Sequence, residues 1–323
     1  MLNYPIRFTP ILKERIWGGD KLNKIFNKKT DSDQTGESWE ISGVKGDVSV
    51  VENGPLKGKS LNDLIADSPE ELMGQRIFER FGNEFPILIK FIDARTELSV
   101  QLHPNDELAR SRHDSFGKTE MWYILQADEG AKINVGFKET ITKEKYLDFL
   151  GAGKITELLN FEEVQKGDSF FIRTGKVHAI GAGVLLAEIQ QTSDITYRIY
   201  DWDRVDAQGN SRELHTELAL DAIDFERKDD FRLDYQHEQN SSNNVATCQY
   251  FTTNYLPVSG KLVKDYGNLD SFVIYMCVGG SAEINIGSHT ETISSGQTLL
   301  IPANTKEVEL TATSAELLEV YLD

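Results

Sequence analysis

With 323 residues, 39% of them hydrophobic, and a formal charge of −18, the chain reads as a folded globular protein of one large or two modest domains. The acidity argues against nucleic acid or an anionic membrane as a partner, and nothing in the sequence implies a protein partner. Cys248 and Cys277 are too few for a disulfide framework, the first residues lack a signal-peptide pattern, and no run nears the roughly 20 apolar residues of a membrane span; a cytoplasmic location is expected.

Residues 60–81 read as one or two helices, with Ser68 as N-cap, Pro69 at the first position and Glu70 and Glu71 in the first turn. The apolar run at 85–92 is short and flanked by turn formers, so it reads as a strand. Ser99-Val100-Gln101-Leu102-His103-Pro104 follows as a strand with two faces: Val100 and Leu102 point one way, and Ser99, Gln101 and His103 the other. Side chains two apart on one face lie about 6.6 Å apart, which lets Gln101 and His103 converge on one ion. The plainer reading is an amphipathic strand with a solvated polar face. Runs at 121–125, 169–172 and 184–189 are further strands. Residues 142–159 read as a helix broken near Gly151 and Gly153, and 212–223 as another helical segment. The polar, aperiodic stretch 227–244 reads as a linker or long connection, and strands at 272–278 and 298–301 belong to a smaller all-β unit beyond it. The expected architecture is mainly β, a sandwich or jelly roll with a few helical inserts, divided into residues 1–230 and 231–323.

A faint internal echo links the two halves. Gly167 is followed at fixed spacing by Arg173, Gly175 and His178; Gly296 is followed by Pro302 without a second Gly or a His. The first copy resembles the second motif of the cupin β-barrels. The second then reads as a degenerate cupin without a metal, although such an echo also arises by chance in β-rich chains. Gln101, His103, Glu120 and His178 stand near cupin-like positions, and two imidazoles, a carboxylate and an amide oxygen suit a borderline ion such as zinc. Each has a bland alternative: His178 as a satisfied core or loop histidine, Glu120 as a solvated carboxylate. His113, His215, His237 and His289 lack such context and read as surface residues.

Seven segments, in order, carry a more specific likeness: Lys13-Glu14-Arg15-Ile16-Trp17-Gly18-Gly19, Gly36-Glu37-Ser38-Trp39-Glu40-Ile41-Ser42, Leu88-Ile89-Lys90-Phe91-Ile92-Asp93-Ala94, the 99–106 stretch, Gly117-Lys118-Thr119-Glu120-Met121-Trp122-Tyr123, residues 175–181, and Thr196-Tyr197-Arg198-Ile199-Tyr200-Asp201-Trp202. On these the chain resembles the type I mannose-6-phosphate isomerases (phosphomannose isomerases) in their short bacterial form. The resemblance implies a zinc-dependent aldose–ketose isomerase on two cupin barrels, with one Zn2+ held by Gln101, His103, Glu120 and His178. By motif position it gives Lys118, Glu188 and Arg198 catalytic or substrate-binding roles and puts Ser99 and Arg204 at the phosphate. Two departures stand out: Arg204 where the family often has Lys, and Arg173 where cupins prefer Pro.

Moving a proton between C1 and C2 of a sugar phosphate needs charge stabilisation for an enediolate and a base. Arg198 and Lys118 supply positive charge. Glu188 is the expected base, because burial in 184–189 raises a carboxylate pKa; the alternatives are a Glu188–Arg198 ion pair, Asp194 as base, or a metal-bound water. Arg204, Ser99 and Lys176 would meet the phosphate, unless Arg204 pairs with Asp201 or Asp203. Trp17 and Trp39 read as core, or else as the pocket mouth. An iron-dependent cupin oxygenase and a non-catalytic sugar-binding regulator are the competing classes.

Overall fold

The computed structural model describes residues 2–205 and 208–323, which build three antiparallel sheets. The first sheet has six strands in the order Ile11–Gly19, Thr35–Ile41, Ile87–Ala94, Val184–Gln191, Glu120–Ala127 and Ser169–Ile172. The second has five: Tyr197–Tyr200, Val100–Leu102, His178–Ile180, Lys132–Phe137 and Leu159–Glu163. The third follows the order Asn243–Thr247, Thr252–Asp265, Glu307–Tyr321, Val273–Ile286 and His289–Ser294, with Thr298–Ile301 also on Val273–Ile286.

The first sheet is buried on both faces, and the two-residue period of a strand sorts its side chains. Even-numbered Ile92, Trp122, Ile124, Val184 and Leu186 pack with Ile133, Val135 and Ile180 of the second sheet. Odd-numbered Ile87, Ile89, Phe91, Met121, Tyr123, Leu185, Ala187 and Ile189 pack with Ile274, Met276, Leu300, Leu318 and Val320 of the third. The apolar runs are continuous for that reason. Three of the buried charges, Lys90, Glu120 and Glu188, fall on even positions. The second sheet turns Val100, Leu102, Tyr197 and Ile199 outward onto Tyr146, Ile155, Ala219 and Ile223. The third closes a core of its own around Leu256, Val273, Tyr275, Leu299 and Leu317. No sheet closes into a hydrogen-bonded barrel, but the facing antiparallel layers are the mainly β, jelly-roll layout expected of cupins. The echo of the two halves is visible: Ser169–Ile172 and Thr298–Ile301 each follow a turn glycine at positive φ, Gly167 at 91° and Gly296 at 81°.

Several helical boundaries differ from expectation. Residues 60–81 form three short helices, Leu61–Asp67, Pro69–Met73 and Gln75–Phe81. Ser60, not Ser68, carries the capping box, with Asp63. The Ser68 N–H still bonds Leu64 O, so that residue ends one helix while the next begins. Thr142 caps Lys143–Gly151, which stops at the predicted glycines before a short 3-10 turn at Ile155–Glu157. Only Thr216–Leu220 of 212–223 is helical, because the residues before it run along the strand Tyr197–Tyr200. The helices Lys21–Phe26 and Asp106–His113 were not expected, although Asn105 caps the second and acids fill its first turn. The stretch 227–244 lies along an edge strand, with Leu233 N–H on Ser169 O at 2.8 Å and the Tyr235 hydroxyl on Gly167 O at 2.6 Å. Among the described residues no helix is long and apolar enough to cross a membrane.

Candidate metal centre and active-site cavity

The polar face of Val100–Leu102 turns inward, as its alternation requires. Gln101 lies in register with His178 on the neighbouring strand, and His103 follows at the strand's end. The positive-φ turn at Gly175 delivers His178, and its N–H bonds His103 O at 2.9 Å, tying the two segments together. A Cβ at Gly175 would lie 2.5 Å from Ala222 O, so this turn needs glycine.

Both imidazoles are held from behind. His103 Nδ1 lies 2.8 Å from Ile195 O and His178 Nδ1 2.8 Å from Lys176 O. Each Nδ1–H therefore donates to a carbonyl, leaving the Nε2 lone pair facing inward. The two Nε2 atoms lie 3.5 Å from the two oxygens of Glu120, which is fully buried. His178 Nε2 and both Glu120 oxygens lack a hydrogen-bond partner among the described residues. Three buried acceptors facing one another are costly unless a cation sits among them, and the Lys118 ammonium reaches only Glu120 Oε2 and His103 Nε2, which leaves His178 Nε2 and Glu120 Oε1 unmet. Donors around a tetrahedral ion with bonds of 2.0–2.1 Å stand about 3.3 Å apart; the two His–Glu120 distances are near that, and one donor atom from each of His103, Glu120 and His178 lies within 4.8 Å of the others, a spread that could hold a metal ion. Gln101 borders the same space, half-buried, its Oε1 accepting from Ser99 Oγ at 3.2 Å.

Burial pushes the His178 pKa down to about 3 and that of His103 well below its ordinary value, so both rings are neutral at pH 7. Burial and the nearby Glu188 charge push Glu120 up to about 7, against the pull of Lys118. The Lys118 ammonium lies 3.0 Å from Glu120 and 3.2 Å from His103 Nε2. Burial would neutralise it, but the charges of Glu120 and Glu188 raise its pKa instead.

Gln101, Lys118 and His178 line a cavity of about 320 Å3, with His103 and Glu120 outside its lining; the cavity also holds Ser99, Lys90, Glu37, Arg15, Asp194, Arg198 and Arg212. Glu188 stands in register between Lys90 and Trp122, and both bind it: Lys90 Nζ at 3.2 Å and Trp122 Nε1–H at 3.0 Å. Its partner is thus Lys90 and not Arg198. The expected rise in its pKa is overturned as well: burial pushes up, but Lys118, Lys90 and the indole outweigh it, and the carboxylate is held below its usual range. Arg198 is half-buried; its Nη1 donates to Glu213 O at 2.8 Å, and burial followed by the Arg212 charge lowers its pKa.

Arg204 and Lys176 do not line this cavity. Arg204 Nη2 donates to Glu97 O at 2.7 Å and Nη1 lies 3.8 Å from Asp201, close to the surface-pair alternative. Lys176, in the turn before the strand His178–Ile180, is taken by Asp230 at 3.0 Å. Trp17 packs in the core and lines the cavity too; Trp39 is buried between Lys13 and Lys90, each ammonium 4.9 Å from its ring. His113 and His215 are half-buried and hydrogen-bonded, to the Tyr197 hydroxyl and the Arg198 N–H, and only His237 and His289 are exposed. Lys90, Glu37, Arg15 and Arg212 were not anticipated as site residues. Lys90 alone had a local signal, a single cation inside the apolar run Ile87-Leu88-Ile89-Lys90-Phe91-Ile92.

Comparison with known proteins gives a consistent picture. Residues 6–132 match the family described as phosphomannose isomerase type I, catalytic domain, and residues 241–322 match the mannose-6-phosphate isomerase cupin domain. The chain is 36% identical to the mannose-6-phosphate isomerase ManA of Bacillus subtilis, over 96% of each chain. It is 34% identical to the mannose-6-phosphate isomerase of Streptococcus mutans, over 94% of this chain and 93% of that one. Its fold superposes on the crystal structure of the Bacillus subtilis mannose 6-phosphate isomerase with a TM-score of 0.89 and 31% identity, covering 99% of this chain and all of that one.

Proposed function

The chain belongs to the type I phosphomannose isomerase family, and we propose from that membership a metal-dependent enzyme that interconverts mannose 6-phosphate and fructose 6-phosphate. The observation that carries the activity is the match to named isomerases along nearly the whole chain. The buried cluster of His103, Glu120 and His178, in which His178 Nε2 and Glu120 Oε1 have no partner among the described residues, supports the metal. Those three residues and Gln101 are the ligands of the proposal, and Zn2+ is its ion, because neutral imidazoles with hard oxygen donors suit it. A bound divalent ion supplies Lewis-acid polarisation of the sugar oxygens at C1 and C2.

The remaining chemistry falls to the chain's own groups. Proton transfer between C1 and C2 builds negative charge on the enediolate oxygens, and a fixed cation aimed there favours the transition state over the bound sugar. Lys118, held as an ammonium by Glu120 and Glu188, is one such cation; Arg198 is the second. Glu188 is the proposed base. Lys90 and Lys118 cost it basicity but ensure that it meets the substrate ionised. Trp17 and Trp122 wall off part of the cavity from water. Ser99, buried beside Gln101, offers a hydroxyl to the substrate. The free thiols Cys248 and Cys277 accord with a cytoplasmic setting.

A coupled assay of mannose 6-phosphate turnover, before and after chelation and zinc readdition, tests the proposal. Activity lost with chelator and restored by zinc is the expected result. Absent turnover with zinc bound would favour the sugar-binding regulator, and iron-dependent oxygen uptake would favour the oxygenase. Metal entry has a proton signature too. With both imidazoles neutral and Glu120 at about 7, titrating zinc into chelated protein at pH 6 should release about one proton, and at pH 8 almost none. Calorimetry in buffers of different ionisation enthalpy reads this; release of two protons at pH 6 would mean that an imidazole is charged.

A further inference from the structure

We infer that Arg212 binds the substrate phosphate, beside Arg198 at the enediolate, and that Asp201 aims Arg212 at it. The inference rests on the sugar-phosphate reading above and replaces Arg204 in that role.

The charges within the cavity single out this pair. Three of its basic groups are matched by carboxylates of the site: Arg15 with Glu37 at 2.6 Å, Lys90 with Glu188 at 3.2 Å and Lys118 with Glu120 at 3.0 Å. Arg198 has no carboxylate in ion-pair contact among the described residues, and its buried Nε lacks a hydrogen-bond partner. Arg212 is gripped from behind, Nε and Nη2 donating to the two oxygens of Asp201 at 2.7 and 2.5 Å. A guanidinium has five N–H donors, so this fork leaves the Nη1 pair without a partner among the described residues, available to a ligand. Two neighbouring guanidinium groups repel each other, and a bound dianion relieves that repulsion.

The topology sets the distance as well. Across the second sheet His178 pairs with Gln101, and Gln101 with Arg198. Residues 211–215 come next, since the His215 N–H bonds Arg198 O at 2.7 Å and Val205 bridges Ser211. Strands lie about 4.8 Å apart. A substrate that reacts at C1 and C2 and carries its phosphate on C6 needs its anion site a few strand spacings from the metal ligands, which is where Arg212 stands. The turn that positions Asp201 holds two successive non-glycine residues in the left-handed region, Trp202 at φ 57° and Asp203 at 53°. Such costly backbone recurs at ligand clamps. Arg204 lies behind Asp201, 3.8 Å away, and acts as a positioning residue.

Steady-state kinetics of zinc-loaded Arg212→Gln, Arg212→Lys and Arg204→Gln test this, with inorganic phosphate as competitive inhibitor. Gln can still donate to Asp201, which protects the fold. Loss of a charge-assisted contact predicts a KM for mannose 6-phosphate raised on the order of tenfold to hundredfold in Arg212→Gln, with phosphate inhibition weakened alike and kcat within about threefold. Arg212→Lys should recover part of both, because it restores the charge but not the fork. Arg204→Gln should shift both less than Arg212→Gln does. The inference is overturned if Arg212→Gln leaves KM and the phosphate Ki within about twofold, or if Arg204→Gln shifts them more. Calorimetry with inorganic phosphate judges the clamp on its own, so a wild type without turnover would count against the isomerase reading and not against Arg212.

Discussion

His178→Ala should yield a folded protein that holds its metal on the order of a hundredfold more weakly and whose turnover of mannose 6-phosphate falls on the order of 10³-fold or more. His178 lies on a strand between two others, fully buried, with its Nδ1 anchored to Lys176 O; no neighbouring side chain can swing into its place. Four protein ligands share a binding free energy of about 10–16 kcal/mol in well-studied zinc sites, so deleting one forfeits roughly 3 kcal/mol, on the order of a hundredfold in affinity. The ion that remains would be misaligned for the sugar oxygens. Elemental analysis of the dialysed variant, circular dichroism and the coupled assay together decide the matter. Full zinc with undiminished turnover would remove His178 from the ligand set.

Lys118→Met separates the cation from the metal. Its ammonium sits between Glu120 and His103, 5% exposed, and Met keeps the length and apolar stem of the side chain while discarding the charge. Metal content should remain near wild type, because no proposed ligand is lost and Glu120 is freed from a competing partner. The value of kcat should drop about 10²–10³-fold, the loss seen when one preorganised donor to a developing oxyanion is removed, while KM changes far less. A kcat within tenfold of wild type would take Lys118 out of the chemistry. Loss of metal together with kcat would show that the lysine shapes the site and does not act in it.

The cluster of His103, Glu120 and His178 was legible because its signals are local. Alternation over 99–103, a glycine three residues before His178 and a charge at the lip of an apolar run each survive in a short window of sequence. The partners of Glu188 were not legible. Lys90 precedes it by 98 residues and reaches it only through strand register, so burial was foreseen and the lysines that reverse its effect were not. Arg204 and Arg212 show the same limit: which arginine faces the cavity depends on a left-handed turn at Trp202 and Asp203 that Asp203 signals only weakly and Trp202 not at all. The helix Asp106–His113 was missed for a different reason. Its cap and acidic first turn were in plain sight, but they follow directly on a segment already read for its metal chemistry.

The alternation of the first sheet also bears on how this enzyme can be rebuilt. Lys90, Glu120 and Glu188 stand on one side of strands whose other side, Ile89, Phe91, Met121, Tyr123 and Ile189, is covered by the C-terminal sheet. A chain cut after residue 230 would leave that apolar layer in water. The strands that hold the catalytic charges would lose the backing that keeps them flat and in register, and the fragment would be expected to aggregate before it could be assayed. Exchange of the last hundred residues with those of a relative is therefore a graft across a packed core. It should succeed only when the odd-numbered positions of the recipient travel with their new neighbours.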